Sequence, residues 1–303
     1  MTVAPVLLPP DRAFVETPVV QAVVGRGLAY LRAGFALHLS GPAGVGKTTI
    51  ARHVAQSLGR PVVFAQGDDQ LTSADLVTAG VRVRRSRVVD NYIHSVTRTS
   101  EDLQEQWTDG WLTAACRNGH TLIYDEFTRS RPETNNVLLS VLAERVLSLP
   151  AKRGEIVPVH PEFRVIFTSN PAEYVGVYRA ADALQDRLVT IQLPQPDAAA
   201  QVAILQVRTG LPAPDCERIV ALAVAVRQRN GGDAGGKPGL RAALALARVL
   251  HATGLRADFS DPAVRAFCLD LLAEGLNDPE TLNGLWPHGV PAATEGDGDR
   301  DTP

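Results

Sequence analysis

The sequence predicts an α/β domain built on a parallel sheet, followed by a smaller domain made of helices. A glycine-rich loop at Gly41–Thr48 lies between an apolar segment and a segment of helical periodicity. A second apolar run, Thr121–Glu126, ends in two acidic residues, as a buried parallel strand does when its carboxyl end carries polar groups. Strand patterns stop after Pro196, and alanine, leucine and valine then recur at helical spacing from Ala198 to about Leu285.

Composition and charge limit the class of protein. With 303 residues, of which 45% are apolar, the chain is long enough to bury a substantial core. A formal net charge of −3 argues against nonspecific binding to nucleic acid. The three cysteines are widely spaced, which indicates neither a disulfide framework nor a zinc site and is typical of a reducing cytoplasm. The sequence has no long apolar run and no signal-peptide pattern, so we expect no membrane partner.

We divide the sequence into four parts. Residues 1–13 form a proline-rich N-terminal arm, and residues 14–195 form the α/β domain. Residues 196–286 form a helical lid domain. Residues 287–303 are polar and rich in glycine, aspartate and proline, so we predict a disordered tail.

Start and stop signals place the individual elements. Thr17 and Pro18 are a favourable N-cap and first helical residue, and Gly59–Pro61 ends the next helix. Valine and arginine partly alternate in Val81–Val89, which predicts a hairpin strand whose arginines either grip an acidic partner or only face solvent. The predicted helices are Val19–Ala33, Thr49–Leu58, Leu71–Ala79, Thr108–Asn118, Asn135–Glu144, Ala183–Arg187 and Arg241–Leu250. The predicted strands are Ala36–Ser40, Pro61–Ala65, Val81–Val89, Thr121–Glu126, Phe163–Ser169 and Leu188–Leu193, with a hairpin over Arg145–Val159.

The glycine-rich loop has the chemistry of a phosphate-binding site. Glycines let the backbone wrap an anion with its N–H groups pointing inward, and the following helix adds partial positive charge. Lys47 can reach the β- and γ-phosphates of a nucleotide, and Thr48 can ligate Mg²⁺. A chance match is the alternative, but the flanking strand and helix and the downstream acids argue against it. The residues that we expect to bind nucleotide are Gly41, Pro42, Ala43, Gly44, Val45, Gly46, Lys47, Thr48 and Thr49.

The two acidic residues at the end of the second apolar strand are the next candidate functional residues. Asp125 can hold Mg²⁺ through its water shell, and Glu126 can polarise an attacking water as general base. The alternative is that the two acids are solvated residues at a strand end without a catalytic role. Because the pair follows a buried strand downstream of the loop, we favour the functional interpretation.

Three further polar residues are candidates for contacts to the γ-phosphate. Asn170, at a strand end, can hydrogen-bond the phosphate or the attacking water, although Asn before Pro also starts ordinary turns. Arg187 lies between a short helix and a strand, where it can reach a neighbouring subunit's nucleotide. Arg241, at the start of a lid helix, can sense the γ-phosphate. Either arginine alone is also compatible with an ordinary surface residue.

These five elements, in this order, resemble an AAA+ ATPase with Walker A, Walker B, sensor 1, arginine finger and sensor 2. Two inserted segments, Gly80–Gln106 and Arg145–Val159, look like the insertions of the MoxR group. Within that group the sequence is similar to the GvpN family of gas vesicle proteins over roughly Phe14–Gly210. The strings that carry this similarity are Trp107–Cys116, Thr121–Glu133 and Val159–Pro171.

The resemblance implies a three-layer P-loop NTPase core with a helical lid, ATP and Mg²⁺ as cofactors, and a homo-oligomeric ring, a hexamer, with nucleotide between subunits. It further implies a cytoplasmic assembly factor, associated with gas vesicles, that hydrolyses ATP to remodel gas vesicle shell or accessory proteins. Two alternatives stay open. One is a MoxR-type ATPase that activates a metalloenzyme or carboxylase, as CbbQ and NorQ proteins do. The other is a nucleotide-gated binding scaffold without productive hydrolysis.

Overall fold

The computed structural model describes residues 5–9, 11, 13–90, 98–149, 154–170, 182–229 and 238–272. The chain divides into two compact units. The first comprises Met1–Arg12 and Glu16–Pro194, and the second comprises Ala13–Val15 and Gln195–Pro303. Each unit is described below by itself.

A five-stranded sheet, parallel in every pairing, forms the centre of the first unit. The strands lie in the order β2-β5-β8-β1-β9. They are β1 (Ala36–Ser40), β2 (Val62–Gln66), β5 (Thr121–Asp125), β8 (Arg164–Ser169) and β9 (Leu188–Gln192). Every one of these strands was expected from its apolar run, and the predicted parallel sheet is confirmed. The outer side of β2 is met by the N-terminal arm, because Val6 and Val62 exchange both backbone hydrogen bonds.

Helices and two antiparallel hairpins complete the first unit. The hairpins are β3 (Thr78–Asp90) with β4 (Arg98–Asp109), and β6 (Val146–Leu149) with β7 (Glu155–Pro158). They occupy the two segments that resembled insertions. The helices are α1 (Pro18–Arg32), α2 (Lys47–Ser57), α3 (Ser73–Val77), α4 (Trp111–Asn118), α5 (Pro132–Asn135), α6 (Val137–Ala143) and α7 (Asp182–Gln185).

Side-chain caps fix where two of these helices begin. Thr17 accepts a hydrogen bond from the backbone of Val20 at 3.3 Å, and Pro18 opens α1, as the sequence predicts. Thr72 and Asp75 form a reciprocal capping box at the start of α3. That helix is shorter than predicted because Thr78 is already extended, with φ −133°, and continues into β3.

The helix expected to start at Thr108 begins instead at Trp111. Thr108 and Asp109 pair with the first residues of β3, so they finish strand β4. Gly110 separates the strand from the helix at a close approach of two backbones. A Cβ on Gly110 would lie 2.5 Å from the carbonyl oxygen of Leu76, so a larger residue does not fit there.

The core of the first unit lies against the sheet and includes a group of aromatic rings. The rings of Phe127 and Phe167 meet edge to face with their centroids 5.0 Å apart, and Tyr124 lies 6.0 Å from Phe167. All three side chains are essentially inaccessible to solvent. The ring of Phe127 therefore anchors the chain directly after the candidate base Glu126.

The second unit contains four described helices around an aliphatic core of its own. They are α8 (Ala198–Thr209), α9 (Ala213–Arg229), α10 (Leu240–Thr253) and α11 (Pro262–Leu272). Asp215 is fully buried and bonds Arg256 at 2.7 Å and the backbone of Ala257 at 3.1 Å. The tail predicted at residues 287–303 lies outside the described residues.

Among the described residues, no helix combines the length and the apolar character that crossing a membrane requires.

Candidate active site

The glycine-rich loop leaves the carboxyl end of β1 and leads directly into α2. Gly44 and Gly46 adopt positive φ values of 80° and 91°, a conformation that favours glycine. Gly46 is the N-cap of α2 and has no side chain to bond the first backbone N–H groups of the helix. The helix dipole and these N–H groups therefore present partial positive charge to an anion in the loop.

Lys47 is folded over the loop that carries it. Its side chain is buried, and Nζ donates to the carbonyl oxygens of Gly41 at 2.9 Å and Pro42 at 2.7 Å. These oxygens occupy two of the three donor positions of the ammonium group. A phosphate in the loop would exchange with them as a stronger, charged acceptor.

Asp125, at the end of β5, meets hydroxyl groups from two neighbouring elements. Thr48 Oγ1 donates to both carboxylate oxygens, at 2.8 Å and 3.0 Å, and Thr168 Oγ1 donates to one of them. Thr48 lies in the first turn of α2 and Thr168 in β8. Carboxylate and hydroxyl oxygens are the ligands that Mg²⁺ prefers, so Thr48 and Asp125 fit this ion.

Glu126 directly follows β5 in an unusual backbone conformation. It is one of two described non-glycine residues with positive φ, at 51°, and its N–H donates to Thr168 Oγ1 at 2.9 Å. Such conformations cluster at functional sites. The Glu126 carboxylate forms an ion pair with Arg129 at 2.9 Å and accepts a longer bond from Gln66 Nε2 at 3.5 Å. Arg129 and Gln66 therefore hold the carboxylate of the candidate base.

Gly67 lies against the backbone of Glu126. Its N–H donates to Asp125 O at 2.7 Å, and a Cβ at position 67 would lie 2.1 Å from the carbonyl oxygen of Glu126. Only glycine allows β2 and β5 to stay this close beyond their last paired residues.

The buried hydroxyl of Tyr124 donates to Ser130 at 2.7 Å, and Ser130 in turn accepts from the backbone of Asp68.

Asn170 and Arg187 lie at different ends of the sheet. Asn170 is buried and follows β8, two residues after Thr168. It therefore lies at the carboxyl ends of the strands, as Asp125 and Glu126 do. Arg187 is exposed, bonds the carbonyl oxygen of Ala183, and precedes the amino end of β9. The register pairs Ala36 with Leu188, so Arg187 lies beside the amino end of β1.

Arg241 is exposed and occupies the first turn of α10 in the second unit. Gly239 is the N-cap of this helix. Arg227, which is buried, donates to the carbonyl oxygen of Pro238 at 3.1 Å and so fixes the segment immediately before α10.

A cleft of about 330 Å³ lies away from the phosphate loop, near the carboxyl ends of α1 and α2. Its charged groups include an ion pair between Arg60 and Glu162 at 3.2 Å. Arg32 is the last residue of α1, a position at which the helix dipole favours a positive charge. The cleft is lined by Arg32, Ser57, Leu58, Arg60, Glu162 and Arg164.

Several groups at the site were not singled out by the sequence. Thr168 donates to the carboxylate of Asp125 and accepts from the backbone N–H of Glu126, Gly67 sets the distance between two strands, and Arg129 holds the carboxylate of Glu126. Arg129 lies three residues after Glu126, a spacing that brings side chains together in a helical turn and was visible in the sequence. The contacts of Thr168 and Gly67 depend on which strands are neighbours, and no local pattern contains that information.

The chain matches the family model described as AAA domain (dynein-related subfamily) over residues 36–188, a range that contains the phosphate loop and both acids. With this match and this site, the chain is an AAA ATPase, a class of enzyme that binds and hydrolyses ATP. A protein of Ancylobacter aquaticus named gas vesicle ATPase GvpN is 50% identical over 265 residues, or 87% of this chain and 74% of that protein. The chain therefore belongs to the gas vesicle ATPase GvpN family.

Other similarities are weaker. Protein NorQ of Paracoccus denitrificans is 27% identical over 249 residues, which is 82% of each chain. The Holliday junction branch migration motor RuvB of Thermotoga maritima superposes with a TM-score of 0.50 at 14% identity, over 90% of this chain and 86% of that chain. This structural likeness concerns the fold alone. The predicted P-loop NTPase fold of the AAA+ class is confirmed, and the alternative related to NorQ is more distant than the gas vesicle family.

Proposed function

We propose that this ATPase works as a homo-oligomeric ring, a hexamer, that uses ATP and Mg²⁺ to remodel gas vesicle shell or accessory proteins during gas vesicle assembly in the cytoplasm. The relative at 50% identity, named a gas vesicle ATPase, supports the biological role. One observation supports the residue roles above all others. Thr48, Asp125, Thr168 and Glu126 form one hydrogen-bonded group beside the loop that carries Lys47.

Binding begins with an exchange of partners at Lys47. The carbonyl oxygens of Gly41 and Pro42 hold Nζ until the β- and γ-phosphates enter the loop. The first backbone N–H groups of α2 bind the same phosphates. These N–H groups belong to the folded helix, so they need little reorganisation when the anion arrives.

Thr48 and Asp125 would hold Mg²⁺, which neutralises charge on the phosphates when it is bound. Thr48 would offer a lone pair of its hydroxyl oxygen, while its O–H, which now donates to Asp125, remains available to that carboxylate. Thr168 keeps the Asp125 carboxylate oriented through its own hydroxyl.

Glu126 acts as general base on the attacking water, and Asn170 orients that water or the γ-phosphate. The ion pair with Arg129 holds one carboxylate oxygen, Oε2, and so restrains the orientation of the base. Both side chains are partly exposed, so the pair opens at small energetic cost.

Arg187 acts on a neighbouring subunit rather than on its own nucleotide. At about 3.3 Å per residue, the five residues of β1 span about 16 Å between its amino end, near Arg187, and the phosphate loop. That distance exceeds the reach of an arginine side chain. Arg187 is exposed beside β9, an edge strand, where a second copy can approach it. Arg241, at the start of α10, is proposed as the residue of the lid that senses the γ-phosphate.

A turnover assay tests the proposed chemistry. Purified protein should release phosphate from ATP only with Mg²⁺, Lys47→Ala should lose tight ATP binding, and Glu126→Gln should bind ATP but turn it over about 10²–10⁴-fold more slowly. Wild-type turnover by Glu126→Gln would remove Glu126 from the mechanism. Binding without any wild-type turnover would favour the scaffold alternative.

Co-purification tests the proposed role. We expect Glu126→Gln, which holds ATP, to retain gas vesicle shell or accessory proteins when it is purified from cells that form gas vesicles. Lys47→Ala is the control, because it lacks the nucleotide-bound state. Retention of a metalloenzyme or carboxylase instead would favour the alternative related to NorQ.

A further inference from the structure

His38 lies in the middle of β1 and contacts a residue beside each of three site segments. Its Nε2 lies 2.8 Å from Ser169 Oγ, which directly precedes Asn170. Its Nδ1 lies 3.0 Å from Thr190 Oγ1, three residues after Arg187. The ring meets Phe127, which follows Glu126, edge to face at 5.3 Å between centroids.

The chemistry of the ring makes both hydrogen bonds compatible with a neutral side chain. A neutral imidazole has one donor and one acceptor nitrogen, and each hydroxyl can take either part, so both tautomers satisfy both partners. Burial lowers the pKa of His38 to about 4, so the ring is neutral at neutral pH. No charge is therefore buried at this position between the strands.

A polar residue inside a parallel sheet is unusual, since such strands are mostly continuous apolar runs. His38 interrupts the run Ala36–Leu39, and both neighbours in sequence, Leu37 and Leu39, are fully buried. Its two hydrogen bonds form only while β8 and β9 both keep their positions against β1; the bond to Ser169 is partly buried, and the bond to Thr190 is exposed. An imidazole in this place thus specifies the relative position of three strands more narrowly than an aliphatic side chain would.

We infer that His38 is a positioning residue that ties Asn170 at the end of β8, and Arg187 before β9, to the strand that carries the phosphate loop. The inference rests on the proposed roles of Asn170 and Arg187. Asn170 lies at the carboxyl ends of the parallel strands and Arg187 at their amino ends, so no direct contact between them holds both in place. Through Ser169, His38 fixes β8 and with it Asn170, which serves the subunit's own nucleotide. Through Thr190, it fixes β9 and with it Arg187, which serves the nucleotide of the neighbouring subunit.

Three substitutions separate the two hydrogen bonds. His38→Leu removes both bonds and keeps an apolar side chain of moderate size. His38→Gln keeps a polar atom near the position of Nε2, toward Ser169, and His38→Asn keeps one near Nδ1, toward Thr190. Ser169→Ala and Thr190→Val delete the partners one at a time, and His251→Leu, at an exposed histidine of α10, is the matched control.

The measurements are kcat for ATP, ATP affinity, and the thermal midpoint of each variant. We expect His38→Leu to lower kcat by about 10- to 100-fold, the scale of a small misplacement of catalytic groups, with ATP affinity within about twofold of wild type. His38→Gln and His38→Asn should each recover part of kcat, and the two partner variants should each lose part of it.

A folded His38→Leu protein with kcat within about twofold of wild type would overturn the inference. So would loss of kcat in His38→Leu that Ser169→Ala and Thr190→Val do not share, because the effect would then be one of packing. If His38→Leu is unfolded, the two partner variants decide in the same way. Arg187→Ala and Asn170→Ala keep the tests separate: normal kcat in both would refute the proposed roles, whereas loss of kcat in both with unchanged His38 variants would refute only this inference.

Discussion

Lys47 and Glu126 are each held by protein partners in the structure. For Lys47 the partners are neutral carbonyl oxygens, which a phosphate replaces with a gain in hydrogen-bond strength. For Glu126 the partner is the guanidinium of Arg129, at 2.9 Å, and release costs the energy of an ion pair. An exposed pair is worth about 0.2–1 kcal/mol, so the restraint on the base is real but small.

Arg129→Gln should therefore raise the basal rate. Removing a pair of about 0.2–1 kcal/mol corresponds to about a 1.5- to 5-fold increase in single-turnover hydrolysis, with ATP affinity unchanged. Arg131→Gln is the matched control, because Arg131 lies two residues away and pairs with Asp69 instead of Glu126. A rate below that of wild type in Arg129→Gln alone would mean that Arg129 assists hydrolysis rather than restraining the base.

Between elements, the spacing of β2 and β5 sets the position of the base. The two strands pair through Gln66 and Asp125, and just beyond them a Cβ on Gly67 would overlap the backbone of Glu126. Because the nearest atoms belong to the backbone, no side-chain rotation makes room for a larger residue.

Gly67→Ala should lower both stability and turnover. A Cβ 2.1 Å from the Glu126 carbonyl oxygen forces the strands apart, with an expected cost of about 1–3 kcal/mol in the free energy of unfolding. Urea denaturation and kcat measure the two effects. Gly25→Ala is the control, because a Cβ there meets open space in α1 and should stabilise the helix by about 0.5–1 kcal/mol. Equal behaviour of the two variants would contradict the close approach.

His38 should make the stability of the folded protein depend on pH. Its pKa is about 4 in the folded protein and 6.5 when unperturbed, because burial disfavours the charged ring. Above about pH 6.5 neither state binds the proton, so His38 costs nothing; as pH falls toward 4, only the unfolded state binds it and stability is lost. The expected loss is about 1.4 kcal/mol per pH unit at most, and it stops below pH 4.

Urea denaturation at several pH values between 7 and 4 measures this loss. His38→Leu lacks the titrating group, so its stability should fall less steeply, by up to about 2 kcal/mol between pH 6.5 and 5. Parallel curves for the two proteins would show that His38 takes up its proton as readily in the folded state as in the unfolded state.

Comparison of sequence and structure at this scale shows which information is local. The strands of the parallel sheet follow from apolar runs, and Thr17 acts as the cap that its position predicted. Thr108 and Asp109 were assigned to a helix, but they lie in β4 because pairing with β3 overrides their local preference. The contacts of Gly67, Thr168 and His38 cross between strands that are far apart in sequence, so periodicity does not reveal them.

At the scale of the whole molecule, the position of Arg187 argues for assembly. The phosphate loop and Arg187 lie at opposite ends of the adjacent strands β1 and β9, about 16 Å apart by strand length. A head-to-tail interface that closes into a ring would bring the Arg187 of one subunit to the nucleotide of the next. Arg187→Ala should then lose about 10³–10⁵-fold in turnover while each subunit still binds ATP.

Mixed rings test action between subunits directly. A Glu126→Gln subunit retains Arg187, and an Arg187→Ala subunit retains Glu126, so random mixing in equal amounts restores both groups at about a quarter of the interfaces. Activity should therefore return toward that fraction of the wild-type rate, although each variant alone is nearly inactive. The controls are each variant mixed with Lys47→Ala and sedimentation to show that mixed rings form. If mixed rings form without any gain in activity, Arg187 does not complete a neighbour's site, and a fully active monomer would exclude the ring altogether.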